Sequence, residues 1–216
     1  MRKLTLIFMT LVLFNLSFAK ETVDTTFTFQ GFSPTSESSI RTTQRSKILG
    51  TSRISYPAFV GGNANVIKNM NKAMEKFISE YKSTKNKTYV ATSEITANNS
   101  TFLSVLFTIE ERDSKTGQKI KLHDGISFNL KDGKALLLKD LFVNGYNDSL
   151  KTAINDKFKQ FGLPQVDKFD AIPKRQSFYL DTDALVLIYN KGEGSNFADG
   201  EVFIPFLLRD LIGIIK

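Results

Sequence analysis

Apolar residues recur at steps of three and four in two stretches of this chain, and at steps of two in several others. Ile67, Met70, Met74, Phe77 and Tyr81 fall on one face of a predicted helix. Gly61-Gly62 turns the chain ahead of it, and Asn63 or Asn65 can cap its first free amides. Lys82, Lys85 and Lys87 follow at its far end, where cations complement the helix dipole. Leu150, Ile154, Phe158 and Phe161 predict a second helix over residues 148–161, capped by Gly162 and stopped by Pro164.

Between the helices the period is two. Residues 53–57 read as a strand ended by Pro57, and residues 89–97 and 102–112 as two more. Leu103, Val105, Phe107 and Ile109 share one face of the second of these. Asn98-Asn99-Ser100 and residues 113–117 supply turns, and a further strand covers residues 118–122. Asp132-Gly133 joins a Phe128/Leu130 strand to an Ala135/Leu137 strand and predicts a two-residue hairpin turn. Residues 177–180 and 184–189 pair about Asp181-Thr182-Asp183, residues 201–205 form a last strand, and residues 207–215 a short apolar tail. Strands outnumber helices and follow one another directly. The expected class is therefore α+β: a twisted antiparallel sheet with two main packed helices, in a single compact domain.

The start of the chain follows other rules. Arg2 and Lys3 precede an apolar run over residues 4–16, and Ser17-Phe18-Ala19 places small residues where a signal peptidase cuts. The run is shorter than the roughly 18 residues a spanning helix needs. Residues 1–19 are thus expected to be a signal peptide, residues 20–50 a partly ordered leader with a short strand at Phe27 and Phe29, and residues 51–216 the domain. The predicted location is exported, periplasmic or secreted, with no transmembrane segment after cleavage.

The chain has no cysteine, which excludes disulfides, thiol catalysis and Cys-ligated metals. Without Arg2 and Lys3 its formal charge falls from +7 to +5, and the lysines are scattered rather than clustered. An exported chain with no dense basic stripe is not expected to bind nucleic acid.

Three segments carry a family resemblance. The first is Ile54-Ser55-Tyr56-Pro57 with Asn71-Lys72-Ala73 in the helix behind it. The second is Asp132-Gly133-Lys134 with Leu138-Lys139-Asp140-Leu141-Phe142. The third runs from Phe178-Tyr179-Leu180 through Ala184-Leu185-Val186 and Tyr189 to Val202-Phe203-Ile204-Pro205-Phe206. Together they resemble the extracytoplasmic module shared by the anti-sigma factor RsiV and the peptidoglycan deacetylase PdaC, from about residue 53 onwards. The resemblance implies an α+β domain, a place in the cell envelope, and recognition of cell-wall glycan or of an extracytoplasmic protein such as a lysozyme. Two positions depart from it. Leu122-His123-Asp124-Gly125 keeps a His but not the preceding Gly-Gly pair, and Tyr189 is followed by Asn190 instead of an acid.

Only three residues precede the apolar run, too few to hold a sigma factor, and one histidine cannot supply a metal-dependent deacetylase. The function expected is a non-enzymatic binding module with no cofactor and no metal. Its candidate ligand-binding residues are His123, Tyr189, Lys191, Glu193 and Phe197, the last three on a polar, Gly-rich stretch over residues 191–199. The alternative is an envelope hydrolase using His123 with a carboxylate such as Asp124. Glu110 and Glu111 point to opposite faces of a strand and cannot act as a pair.

Overall fold

The computed structural model describes residues 38–162, 173–190, 201–211, 213 and 215–216. The expected signal peptide, the expected strand at Phe27 and Phe29, the stretch over residues 191–199 and most of the connection over residues 165–174 lie outside them.

Five strands form the larger sheet, in the spatial order of the chain: β1 (Arg41–Leu49), β2 (Ser52–Val60), β3 (Lys87–Asn98), β4 (Phe102–Asp113) and β5 (Lys119–Asn129). β1 falls within the expected leader and is paired to β2 along its whole length. Its sequence hides it, because Arg, Thr, Gln, Ser and Lys dominate both faces and most of them are exposed. β2 also continues through Pro57 to Val60. Its pairing with β3 is confined to Arg53↔Val90 and Ile54↔Ala91. Pro57 lies beyond that junction, where a missing N–H removes no bond to β3.

The β2–β3 junction is parallel, so the sheet is mixed instead of wholly antiparallel. Parallel neighbours need a crossover, and α1 (Ala64–Ser79) provides it. Asn63 caps α1, its Oδ1 accepting the Asn65 and Val66 amides at 2.9 and 3.4 Å. Val66, Met70, Met74 and Ile78 are its fully buried residues, while Phe77 and Tyr81 are half-buried beside them. Lys82, Lys85 and Lys87 lie past the last turn, where only Lys76 is basic, and Lys87 pairs with Glu111 at 2.7 Å.

Where β3 leaves β2, a side chain takes its place. The Phe59 amide donates to Asn71 Oδ1, and Asn71 Nδ2 donates back to the Phe59 carbonyl, both at 2.9 Å. One amide on α1 thus mimics a strand partner and pins the helix to the sheet. Asn71→Ala should lower stability by about 2 kcal/mol, since it leaves two part-buried backbone groups unpaired. Urea denaturation checks this; a midpoint unchanged from wild type would refute the pin.

A second sheet, β6 (Phe178–Leu180), β7 (Ala184–Tyr189) and β8 (Val202–Leu207), is antiparallel throughout. It meets the outer face of β4 and β5 along a seam of small residues. Ser104 and Ser127 are fully buried there, their hydroxyls 2.8 Å apart. Ser104 Oγ also accepts the Leu180 amide at 2.9 Å, and Thr96 Oγ1 donates to the Leu180 carbonyl at 2.7 Å. These bonds join the two sheets into one α+β body with an apolar cluster on either side of the larger sheet.

The first cluster lies under α1 and contains Leu103, Val105, Phe107 and Ile109, the face expected from their alternation. The second gathers α2 (Asn147–Gln160), the short 3-10 turn Leu138–Leu141, Phe142 and the inner face of the second sheet. Leu150, Ile154 and Phe158 of α2 are buried, but Phe161 is exposed, because the helix has already ended. Gly162 takes a φ of +63° at that end.

The Asp132-Gly133 corner also differs from expectation. The Gly133 amide bonds to the Asn129 carbonyl and the Asn129 amide to the Lys134 carbonyl, giving a wider loop. The returning strand shrinks to one bridge, Phe128↔Ala135. The loop is held by α1 instead: Asn69 Nδ2 donates to the Asp132 carbonyl at 2.8 Å, and Gly133 lies flush against the Val66 carbonyl.

Candidate functional site

The outer edge of β5 has no long partner strand, so its polar groups must be satisfied in other ways. At one end the Leu136 amide donates to the Ser127 carbonyl at 2.8 Å. At the other, the His123 amide donates to Asn190 Oδ1 at 2.7 Å and Asn190 Nδ2 donates to the His123 carbonyl at 3.0 Å. This repeats the Asn71 arrangement on a different strand. An acid at position 190, as in the resembled module, could accept from the amide but could not donate to the carbonyl.

Between these two attachments lies a groove of roughly 610 Å³, bounded by the C-terminal half of α1, the edge of β5, residues 135–138 and residues 174–178. Phe77, Leu122, Ile126, Leu136 and Phe178 make its walls largely apolar. Asp124 stands on its floor. Alternation along β5 sends this carboxylate to the α1 side, opposite Phe107. It accepts the Tyr81 hydroxyl at 2.6 Å, the Gly125 amide at 2.8 Å and the Ser177 hydroxyl. Burial pushes the Asp124 carboxyl above the ordinary carboxylate range, and the bonds from Ser177, Tyr81 and Gly125 only partly offset it. Burial, with Asp124 beside it, raises the Tyr81 phenol far above its usual value, so this hydroxyl stays protonated and donates.

His123 takes the opposite face. Its Nδ1 meets the Glu201 carboxylate, and its ring lies edge-on to Phe203 with centroids 5.0 Å apart. The acid paired with this histidine is therefore Glu201, the residue immediately before β8, and not Asp124. Neighbouring residues of one strand point away from each other, which separates the two carboxylates. Nor does Ser177 bond to the histidine; its hydroxyl is taken by Asp124.

His123 thus holds Asn190 through its backbone and Glu201 through its ring. These two residues bracket residues 191–200 in the chain. Tyr189 belongs to the second apolar cluster, is 2% exposed and meets Phe158 edge-on at 6.3 Å. Burial raises its phenol. Lys191, Glu193 and Phe197 lie outside the described residues. Among the described residues, no three His, Asp or Glu side chains converge as a metal cluster would require. No described helix is long and apolar enough to cross a membrane.

The rim of the groove is cationic. Lys76 comes from α1, and Lys174 and Arg175 from the opposite bank; Glu80 is the acid among them. Arg175 spans the groove to Glu80 at 3.4 Å. None of Tyr81, Ser177 or Arg175 carried a functional signal in the sequence. Tyr81 reads there as a helix core residue, and Ser177 lies 53 positions from the aspartate it serves.

The overall fold recurs in solved structures. One is a member of the DUF3298 family from Bacteroides fragilis: TM-score 0.58, 12% identity, 85% of this chain and 96% of that one covered. The two chains share a fold. A DUF3298 family protein from Pseudomonas aeruginosa agrees, with TM-score 0.53, 9% identity and coverage of 82% and 94%. No family model and no curated protein matches the sequence. The likeness is therefore one of fold, at 12% and 9% identity.

Proposed function

We propose that this chain is an exported, non-enzymatic binding module of the cell envelope, and that its ligand site is the groove between α1 and the outer edge of β5. The observation that carries the reading is the groove itself. Its volume lies within the range typical of ligand pockets, and it combines apolar walls with a few convergent polar groups. The groups available to a hydrolase are engaged with separate partners: His123 with Glu201, and Ser177 with Asp124. His123 and Ser177 therefore do not bond each other, and no base–nucleophile pair forms between them. Cell-wall glycan or an extracytoplasmic protein, lysozyme-like proteins included, is the partner class that the RsiV/PdaC-type resemblance suggests.

Solubilised wall glycan and lysozyme, added in turn to the isotopically labelled protein, should shift the amide resonances of residues 76–81, 122–126 and 174–178. Binding that maps wholly to another surface would remove the groove from the proposal. Hydrolysis of wall glycan that disappears in His123→Ala would replace the proposal with the enzymatic alternative.

A further inference from the structure

The groove sorts chemistry by depth. At the mouth, Lys76, Lys174 and Arg175 face one acid, Glu80, and that acid is already bridged to Arg175. Lys76 and Lys174 make no ion pair among the described residues. Arg175 and Glu80 have side chains 73% and 51% exposed, so their bridge is worth little and can be exchanged for a ligand anion. The mouth therefore rejects cations and attracts anions. The walls ask for an apolar body. The floor offers the Asp124 carboxyl, whose three protein donors leave room for one more. A ligand ammonium would suit a carboxylate, but the cationic mouth opposes its entry. A neutral N–H or O–H group is left as the partner for the floor.

Resting on the binding role just proposed, we infer that the groove takes an anionic N-acyl compound. Its carboxylate lies among Lys76, Lys174 and Arg175, its apolar portion lies between Phe77 and Phe178, and its amide N–H is donated to Asp124. The mouth and floor are close enough for one small molecule. Arg175 precedes Ser177 by two residues, about 7 Å of extended chain, and Ser177 touches Asp124. Tyr81, the other ligand of Asp124, directly follows Glu80, the residue that Arg175 reaches. Two sources offer this chemistry: acidic N-acetylated sugars and N-acylated amino acids.

Calorimetric titration of the full chain with three probes tests the inference. N-acetylmuramic acid and N-acetylleucine each join a carboxylate to an acetamide; N-acetylglucosamine keeps the acetamide and lacks the acid. At least one of the two acids should bind, and whichever binds identifies the source. The neutral sugar should bind about tenfold more weakly or worse, the effect of losing a charge-assisted hydrogen bond. Lys174→Ala/Arg175→Ala changes only exposed side chains and should weaken the acid by a similar factor, with little effect on folding. Raised salt should weaken it as well. Equal affinity for the neutral sugar, or no heat with either acid, would overturn the inference. If wall glycan still shifts the groove resonances in that case, the binding role stands and only the ligand class falls. If nothing shifts them, both fall.

Discussion

Gly125→Ala should destabilise the protein by about 3 kcal/mol, a cost set by steric overlap in a packed seam. Gly125 sits in β5 directly beneath β6. A Cβ there would overlap the Phe178 carbonyl oxygen and come within 3.2 Å of Tyr179 Cβ. The obstacle is backbone, which cannot swing aside as a side-chain tip can. Relief requires β6 to lift from the larger sheet, which would strain the Leu180–Ser104 and Thr96–Leu180 bonds. Gly145→Ala is the control. That position has a φ of +80° but nothing within 4 Å, so its substitution should cost about 1 kcal/mol from backbone conformation alone. Urea denaturation of both variants measures the contrast. Equal losses would mean that the seam is loose and that the second sheet is not seated as described.

Asp124 should govern the acid side of the stability profile. Its folded carboxyl is raised above the ordinary value, so in this range the folded protein holds more protons than the unfolded chain. The sign follows from linkage: the Asp124 contribution to stability decreases as pH rises through the folded value and recovers as pH falls below it. Asp124→Asn removes the buried charge, and its amide oxygen can still accept from Gly125 and Ser177, but the amide nitrogen that then faces Tyr81 cannot accept the phenol proton. The stability profile of this variant should flatten above pH 4, so that its stability relative to wild type improves from pH 4 to pH 7. Asp124→Ala deletes every partner and leaves the Tyr81 hydroxyl buried without an acceptor, at a cost of about 2–3 kcal/mol. Thermal melts from pH 4 to pH 8 compare the three proteins. An Asn variant less stable than wild type at pH 7 and more stable at pH 4 would reverse the sign and refute a raised carboxyl.

Local pattern carried much of the fold. The Met70/Met74 face, the Leu103–Ile109 alternation, the Leu150/Ile154/Phe158 face and the β6–β7 corner each depend on residues a few positions apart, and each is found where the period places it. Failures came where local pattern was silent or was overruled. β1 is largely exposed on both faces and polar on both, so it shows no alternation. Pro57 reads as a strand end, but β2 passes through it where β3 no longer follows. Asp132-Gly133 has the residues of a tight hairpin, yet contacts with Asn69 and Val66 of α1 decide its shape.

The candidate site was legible only in part. His123 stood out as the only histidine, and it does mark the end of the groove. The acid assigned to it did not survive, because adjacent strand residues face apart and Glu201 arrives from 78 positions away. Asn190 looked like a departure from a family pattern; in three dimensions it is the residue that completes the edge of β5.

The amino-acid sequence alone determined the α+β class, both helices with their buried faces, and the absence of disulfides, since periodicity and residue chemistry act over short range. Tertiary structure alone decided the parallel β2–β3 junction, the division into two sheets, the partners of His123 and Asp124, and the groove with its cationic mouth. Those features join residues tens of positions apart, and their energies arise only when burial brings such groups together and removes the water between them.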